Sequence, residues 1–183
     1  MTGGGLILLW AGAKHSGKTT GLREVVRLCR RAGLAVAGVL APGVYEGGEL
    51  AGFDVVDLST GRREGFLRRA VAGADGARVG EYVLDEEGGR LGRRALSDNV
   101  TREADLVIVD EFGPLELAGD GWRDAVDRLA RRGAVALLLV VREALVDRAA
   151  ELYGVPKAHV LPAREAGSAD RALALLLSRG RDT

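Results

Sequence analysis

The sequence predicts an α/β fold of three layers: a mostly parallel central sheet flanked by helices, with a small antiparallel insertion. Three observations carry this. Short apolar runs at residues 6–11, 105–109 and 134–141 read as strands buried on both faces. Between them, apolar residues recur three and four apart, the spacing of helices that cover such a sheet. Strand-like and helix-like segments also alternate along much of the chain, which favours parallel strands joined by crossover helices.

Each element has its own signal. The run at 6–11 opens the chain, and Leu22, Val25, Val26 and Cys29 then fall on one face of a helix over 18–32 that Gly33 stops. Residues 35–40 form the next apolar strand. From 43 to 92 the chain is rich in glycine, and short alternating pieces such as Gly52-Phe53-Asp54-Val55-Val56-Asp57-Leu58 are followed by the turn Ser59-Thr60-Gly61. This stretch predicts an antiparallel elaboration within a single domain of residues 1–183. A helix is expected over 91–102, then a strand at 105–109 ending in Asp110-Glu111. Trp122, Ala125, Val126, Leu129 and Ala130 line a helix ended by Gly133. A strand at 134–141, a helix at 145–152 and a strand at 158–161 follow. Ser168 is expected to cap a last helix whose face is Leu173, Leu176 and Leu177.

At 183 residues the chain suits one domain with a real core. Lysine plus arginine equal aspartate plus glutamate, 26 each, so the formal net charge is zero and no electrostatic footprint for nucleic acid or an acidic membrane appears. Cys29 is the single cysteine, which excludes an intrachain disulfide and a thiolate metal cluster; its helical spacing makes it a small core residue. No apolar run approaches the roughly 20 residues of a membrane helix, and the N-terminus lacks the basic start of a signal peptide. The expectation is a cytoplasmic protein, monomeric by default, with no nucleic-acid or membrane partner and with any protein partner unspecified.

The first strand leads directly into Gly12-Ala13-Lys14-His15-Ser16-Gly17-Lys18-Thr19, which matches G-x-x-x-x-G-K-[ST]. Glycines at 12 and 17 let the backbone bend so that successive N–H groups face phosphate oxygens, and the following helix adds its positive dipole end. Lys18 supplies an ammonium to the β- and γ-phosphates, and the Thr19 hydroxyl can ligate Mg²⁺; Thr20 completes the segment. The variable positions Ala13, Lys14, His15 and Ser16 offer mainly backbone, with Lys14 a candidate extra charge. A chance match among 27 glycines is disfavoured by context, because an apolar strand enters the motif and an amphipathic helix leaves it. The ligand this predicts is a nucleoside triphosphate, ATP or GTP.

Asp110-Glu111 is the second half of the predicted site. A carboxylate ending a buried strand beside the loop strand can hold Mg²⁺, usually through water. Consecutive strand residues point to opposite sides, so Glu111 is expected to face away from Asp110 and to polarise a water for attack on the γ-phosphate.

Asp110-Glu111-Phe112-Gly113-Pro114-Leu115-Glu116-Leu117 resembles the D-E-[IF]-G-x-[ML]-E-L signature of the cancer-related nucleoside-triphosphatases first met in thermophiles. The segment 52–58 resembles that family's G-F-x-[IV], and Val79-Gly80-Glu81-Tyr82-Val83 its V-G-x-Y-x-V; order and gaps agree over roughly residues 5 to 165. The resemblance implies a RecA-like P-loop sheet and slow, Mg²⁺-dependent hydrolysis of ATP, GTP and other triphosphates to diphosphates. It implies Lys18 and Thr19 as phosphate and Mg²⁺ residues, Asp110 as the second Mg²⁺ residue and Glu111 as the base. Two departures stand out. Ala13-Lys14-His15-Ser16 replaces a P-G type loop, and Val140-Val141-Arg142-Glu143 occupies the place of T-x-H-R.

Three further positions remain open on sequence. Arg142 is either a stabiliser of transferring phosphate charge or a surface arginine at a helix start. Glu116 either contacts nucleotide or fixes its loop and caps the helix near Trp122. Pro162 and Ala163 follow the last strand, where related folds often pack the base, an argument by analogy. The leading function is a triphosphate phosphohydrolase with water as acceptor. The alternatives are a nucleoside or nucleotide kinase, with Arg62, Arg63, Arg68 and Arg69 available as a lid, and a nucleotide-binding accessory module for a partner.

Overall fold

The computed structural model describes residues 5–13, 18–71 and 76–179. Its strands are β1 (Ile7–Gly12), β2 (Val36–Leu40), β3 (Gly43–Glu46), β4 (Glu49–Asp57), β5 (Arg63–Arg69), β6 (Arg78–Val79), β7 (Tyr82–Leu84), β8 (Leu106–Val109), β9 (Ala136–Arg142) and β10 (Val160–Pro162). Its α-helices are α1 (Lys18–Arg31), α2 (Glu86–Ala95), α3 (Asp98–Thr101), α4 (Pro114–Leu117), α5 (Arg123–Arg132), α6 (Val146–Tyr153) and α7 (Ser168–Arg179).

One sheet contains all these strands, in the order β10-β1-β9-β8-β2-β4-β5-β7-β6, with β3 paired to β4. The pairs from β10 to β2 are parallel, and those from β2 outward are antiparallel. Strands β3 to β7 therefore extend the main sheet past β2. Parallel strands buried on both faces explain the unbroken apolar runs. Leu9, Val107, Val109, Leu137, Leu139 and Val141 pack against α2, α5 and α6. The alternate residues Leu8, Trp10, Leu106, Ile108, Leu138 and Val140 pack against α1 and α7. Each large side chain so buried contributes about 2 kcal/mol.

Cys29 is a fully buried core residue on α1, and burial pushes its thiol up to about 11, away from thiolate chemistry. Among the described residues no helix is long and apolar enough to cross a membrane.

The expected helix over 91–102 is two helices, α2 from Glu86 and α3 from Asp98, so the antiparallel region ends at Leu84 and not at 92. Asp85 caps α2 by accepting from Glu87 N at 2.9 Å. Gly88, Gly89 and Gly92 disguise this helix, because glycine is a poor helix former in isolation. Packing reverses the preference at Gly88, where a Cβ would collide with the Gly65 carbonyl of β5.

Two details of α7 also differ from expectation. Ser168 is its first residue, and its hydroxyl donates to Pro162 O at 2.7 Å, tying the helix to β10 instead of capping it. The buried apolar positions are Ala172 and Leu176, with Leu173 partly buried against the same cluster, while Leu177 is exposed.

Gly38 lies at φ +109° in the middle of β2, and a Cβ there would strike the Ile108 carbonyl of the neighbouring β8. That position joins the parallel and antiparallel halves, since Gly38 O also accepts Leu58 N at 2.9 Å. Gly38→Ala is expected to lower unfolding free energy by about 3 kcal/mol or more. Chemical denaturation checks it; an unchanged midpoint would contradict the close approach.

Candidate active site

The C-terminal ends of the parallel strands carry the chemistry. Gly12 ends β1, Ala13 follows it exposed, and Lys18 begins α1. Lys14, His15, Ser16 and Gly17 lie outside the described residues. Lys18 is buried, and its Nζ donates to Ala13 O at 2.9 Å, across the mouth of the loop. Thr19 is half-buried and Thr20 exposed. Trp10 anchors this corner: its indole Nε1 donates to Lys18 O at 3.2 Å from a fully buried ring. Sequence reasoning gave Trp10 no role beyond its strand, although a buried indole N–H needs an acceptor and so signals a partner.

Asp110 follows β8, and its even position puts it on the face that Leu106 and Ile108 turn toward α1. Its Oδ2 accepts from Thr19 Oγ1 at 3.0 Å and from Ala41 N at 3.1 Å. Burial pushes its carboxyl up to about 6, raised further by Glu111 and opposed by Ala41 N–H, the Thr19 hydroxyl and the Lys18 charge. Two hard oxygens 91 residues apart in sequence thus meet at one point. Among the described residues no group of three or more His, Cys, Asp or Glu side chains gathers as a metal cage.

The expectation that β8 lies beside β1 is corrected: β9 separates them, so the two halves of the site are bridged by α1 and flank the end of β9.

Glu111 departs from simple strand alternation, because β8 ends at Val109. Its φ is +65°, the only positive value at a non-glycine among the described residues. Backbone of this kind in a side-chain-bearing residue costs on the order of 1–3 kcal/mol and persists where neighbours over-determine it. Here they do. Phe112 N donates to Val140 O at 2.8 Å, and the Phe112 ring is fully buried, edge-on to Tyr153. Glu116, also buried, accepts from Gly113 N at 2.9 Å and from Trp122 N at 3.3 Å. These bonds fix the loop and the start of α5. Arg123 adds a bond to Glu116 O at 3.2 Å while pairing with Asp127, which also accepts the Tyr153 hydroxyl at 2.7 Å.

Arg142 ends β9 with Gly12 as its register partner on β1. Its Nη2 lies 3.6 Å from Glu111 Oε2. On the other side of β1, Pro162 is in register with Ala11, and Ala163 N donates to Ala11 O at 2.7 Å. Pro162 and Ala163 therefore sit one strand from the phosphate loop, with Pro162 exposed.

The arginines considered as a kinase lid are engaged within the antiparallel strands. Arg63 and Arg68 both bind the buried Asp54 on β4. Burial alone would raise the Asp54 carboxyl, but its bonds to Arg68 and Arg63 outweigh that and hold it below its usual value. Arg62 pairs with Glu64, and Arg69 with Glu49 and Glu81.

A family model described as NTPase matches residues 8–162. Nucleoside-triphosphatase THEP1 of Methanopyrus kandleri is 38% identical over 125 residues, covering 68% of this chain and 67% of that protein. The protein of the same name from Thermofilum pendens is 43% identical over 119 residues, 64% of each, so the match spans slightly less than two thirds of that relative. The solution structure of a human cancer-related nucleoside triphosphatase superposes with a TM-score of 0.69 at 22% identity, covering 97% of this chain and 99% of that one, a likeness of fold. With a family model spanning nearly all of the sheet and both halves of the site, the chain belongs to the NTPase family.

Proposed function

We propose that this chain hydrolyses nucleoside triphosphates to diphosphate and phosphate, using Mg²⁺ and water. The observation that carries the reading is the meeting of Thr19 Oγ1 and Asp110 Oδ2 at 3.0 Å, beside a Glu111 held in left-handed backbone. The relatives' name, nucleoside-triphosphatase, supports the same activity and disfavours the kinase.

Thr19 and Asp110 fit Mg²⁺ in particular. Mg²⁺ prefers oxygen ligands, retains several waters and takes few protein groups when phosphates supply the rest. When bound, it would neutralise charge on the β- and γ-phosphates. Lys18 shares that task from the start of α1. Glu111 takes a proton from the attacking water. The water oxygen bonds to the γ-phosphorus, and the bond to the β–γ bridging oxygen breaks, leaving the diphosphate. Pro162 and Ala163 offer the surface on which the base rests. Glu116 holds the turn that presents Glu111 and does not itself meet the nucleotide.

Glu111→Gln is expected still to bind nucleotide and to lower turnover by roughly 10²-fold or more in a phosphate-release assay. Undiminished turnover would remove Glu111 as base. Lys18→Ala should weaken triphosphate binding roughly tenfold or more, the size of a charge-assisted contact. Titration of a fluorescent nucleotide reads this, and wild-type affinity in that variant would sink the phosphate-loop assignment.

A further inference from the structure

β9 lies between β1, which enters the phosphate loop, and β8, which enters Asp110-Glu111. Its last residue, Arg142, is therefore the side chain the sheet places between the two halves of the site. Strand alternation puts it on the same face as Val140, the face covered by α1.

The guanidinium of Arg142 is poorly satisfied there. Nη2 approaches Glu111 Oε2 at 3.6 Å, an ion pair too long for a hydrogen bond. Nε is buried without a hydrogen-bond partner, the one side-chain nitrogen or oxygen of the described residues in that condition. A buried N–H lacking an acceptor is costly, and a long pair between two partly exposed groups returns little. A planar guanidinium in this state is well suited to a better acceptor, and phosphoryl oxygens match its fork. Glu111, its present partner, is the group the hydrolase reading needs free.

We propose that Arg142 senses the γ-phosphate: it pairs with Glu111 when no triphosphate is bound, passes to the γ-phosphoryl oxygens when one enters, and so releases Glu111 for water. The inference rests on the hydrolase reading and adds its regulation. A diphosphate lacks the group that draws Arg142 away, so the base stays engaged after product forms. Triphosphate binding thus shifts the pair between two arrangements by differential contact with one of them.

The test is a set of dissociation constants with Mg²⁺ for wild type, Arg142→Ala, Glu111→Gln and the double variant. The probes are ADP and GDP and the β,γ-imido analogues of ATP and GTP. Arg142→Ala should lose roughly tenfold or more for the triphosphate analogues and under about twofold for the diphosphates, as expected for one charge-assisted γ-phosphate contact. The intact diphosphate affinity also shows that the variant is folded. Glu111→Gln should bind the analogues several-fold more tightly, roughly the energy of a broken ion pair, because the arginine no longer has to leave a carboxylate. In the double variant the Glu111 change should have no further effect. Equal losses for di- and triphosphate in Arg142→Ala, or a Glu111→Gln gain that survives without Arg142, would overturn the exchange while leaving hydrolysis standing. Failure of the wild type to bind any of the four nucleotides would overturn the hydrolase reading, and the exchange with it.

Discussion

The Asp110 carboxylate is 1% exposed at the end of a strand buried on both faces, and its Oδ2 accepts bonds from Thr19 on α1 and from Ala41 after β2. Removing an ionisable group from water is expensive unless dipoles or charges replace the lost hydration. Two donors and the nearby Lys18 charge do this only in part, which is why the carboxyl rests near 6. The group is held at a defined point yet under-compensated. Its position ties together three elements: the helix after the phosphate loop, the strand β8 and the break between β2 and β3. What the remainder of the site does depends on that convergence.

Glu111 shows a related constraint one residue later. The chain must leave β8 with Asp110 turned toward α1 and Phe112 sunk on the opposite face among Val109, Val141 and Tyr153. Both ends being fixed, the residue between takes φ +65°. Glu116 closes the turn behind it through Gly113 and Trp122, and burial raises the Glu116 carboxyl while the N–H donors there oppose the rise. The strained residue is thus supported by core packing and by a buried acid, not by its own contacts. Such support is how a water-facing carboxylate keeps a fixed direction without being buried.

Much of this was legible in the sequence, and the physical reasons differ by element. Continuous apolar runs announced the parallel strands because both faces are covered. The loop motif and Asp110-Glu111 were readable because each needs particular residue types at fixed spacing. Helix α2 was displaced in the sequence reading, since Gly88 and Gly92 are chosen for close packing while propensity counts them against a helix. Strand order was illegible: no local signal says that β9 intervenes between β1 and β8, because the order is settled by long-range pairing. The Glu111–Arg142 pairing was hidden for the same reason, the two residues being brought together only by that order. Ala41 contributes a backbone N–H, which leaves no trace in residue type.

In the proposed reaction, water placed at this end of the sheet attacks the γ-phosphorus of a nucleoside triphosphate. Hydrolysis in ¹⁸O-labelled water, followed by mass analysis of both products, tests it most directly. The account predicts one solvent oxygen in the released phosphate and none in the diphosphate. Label in the diphosphate, or phosphate appearing on an added nucleoside with no labelled inorganic phosphate, would contradict it.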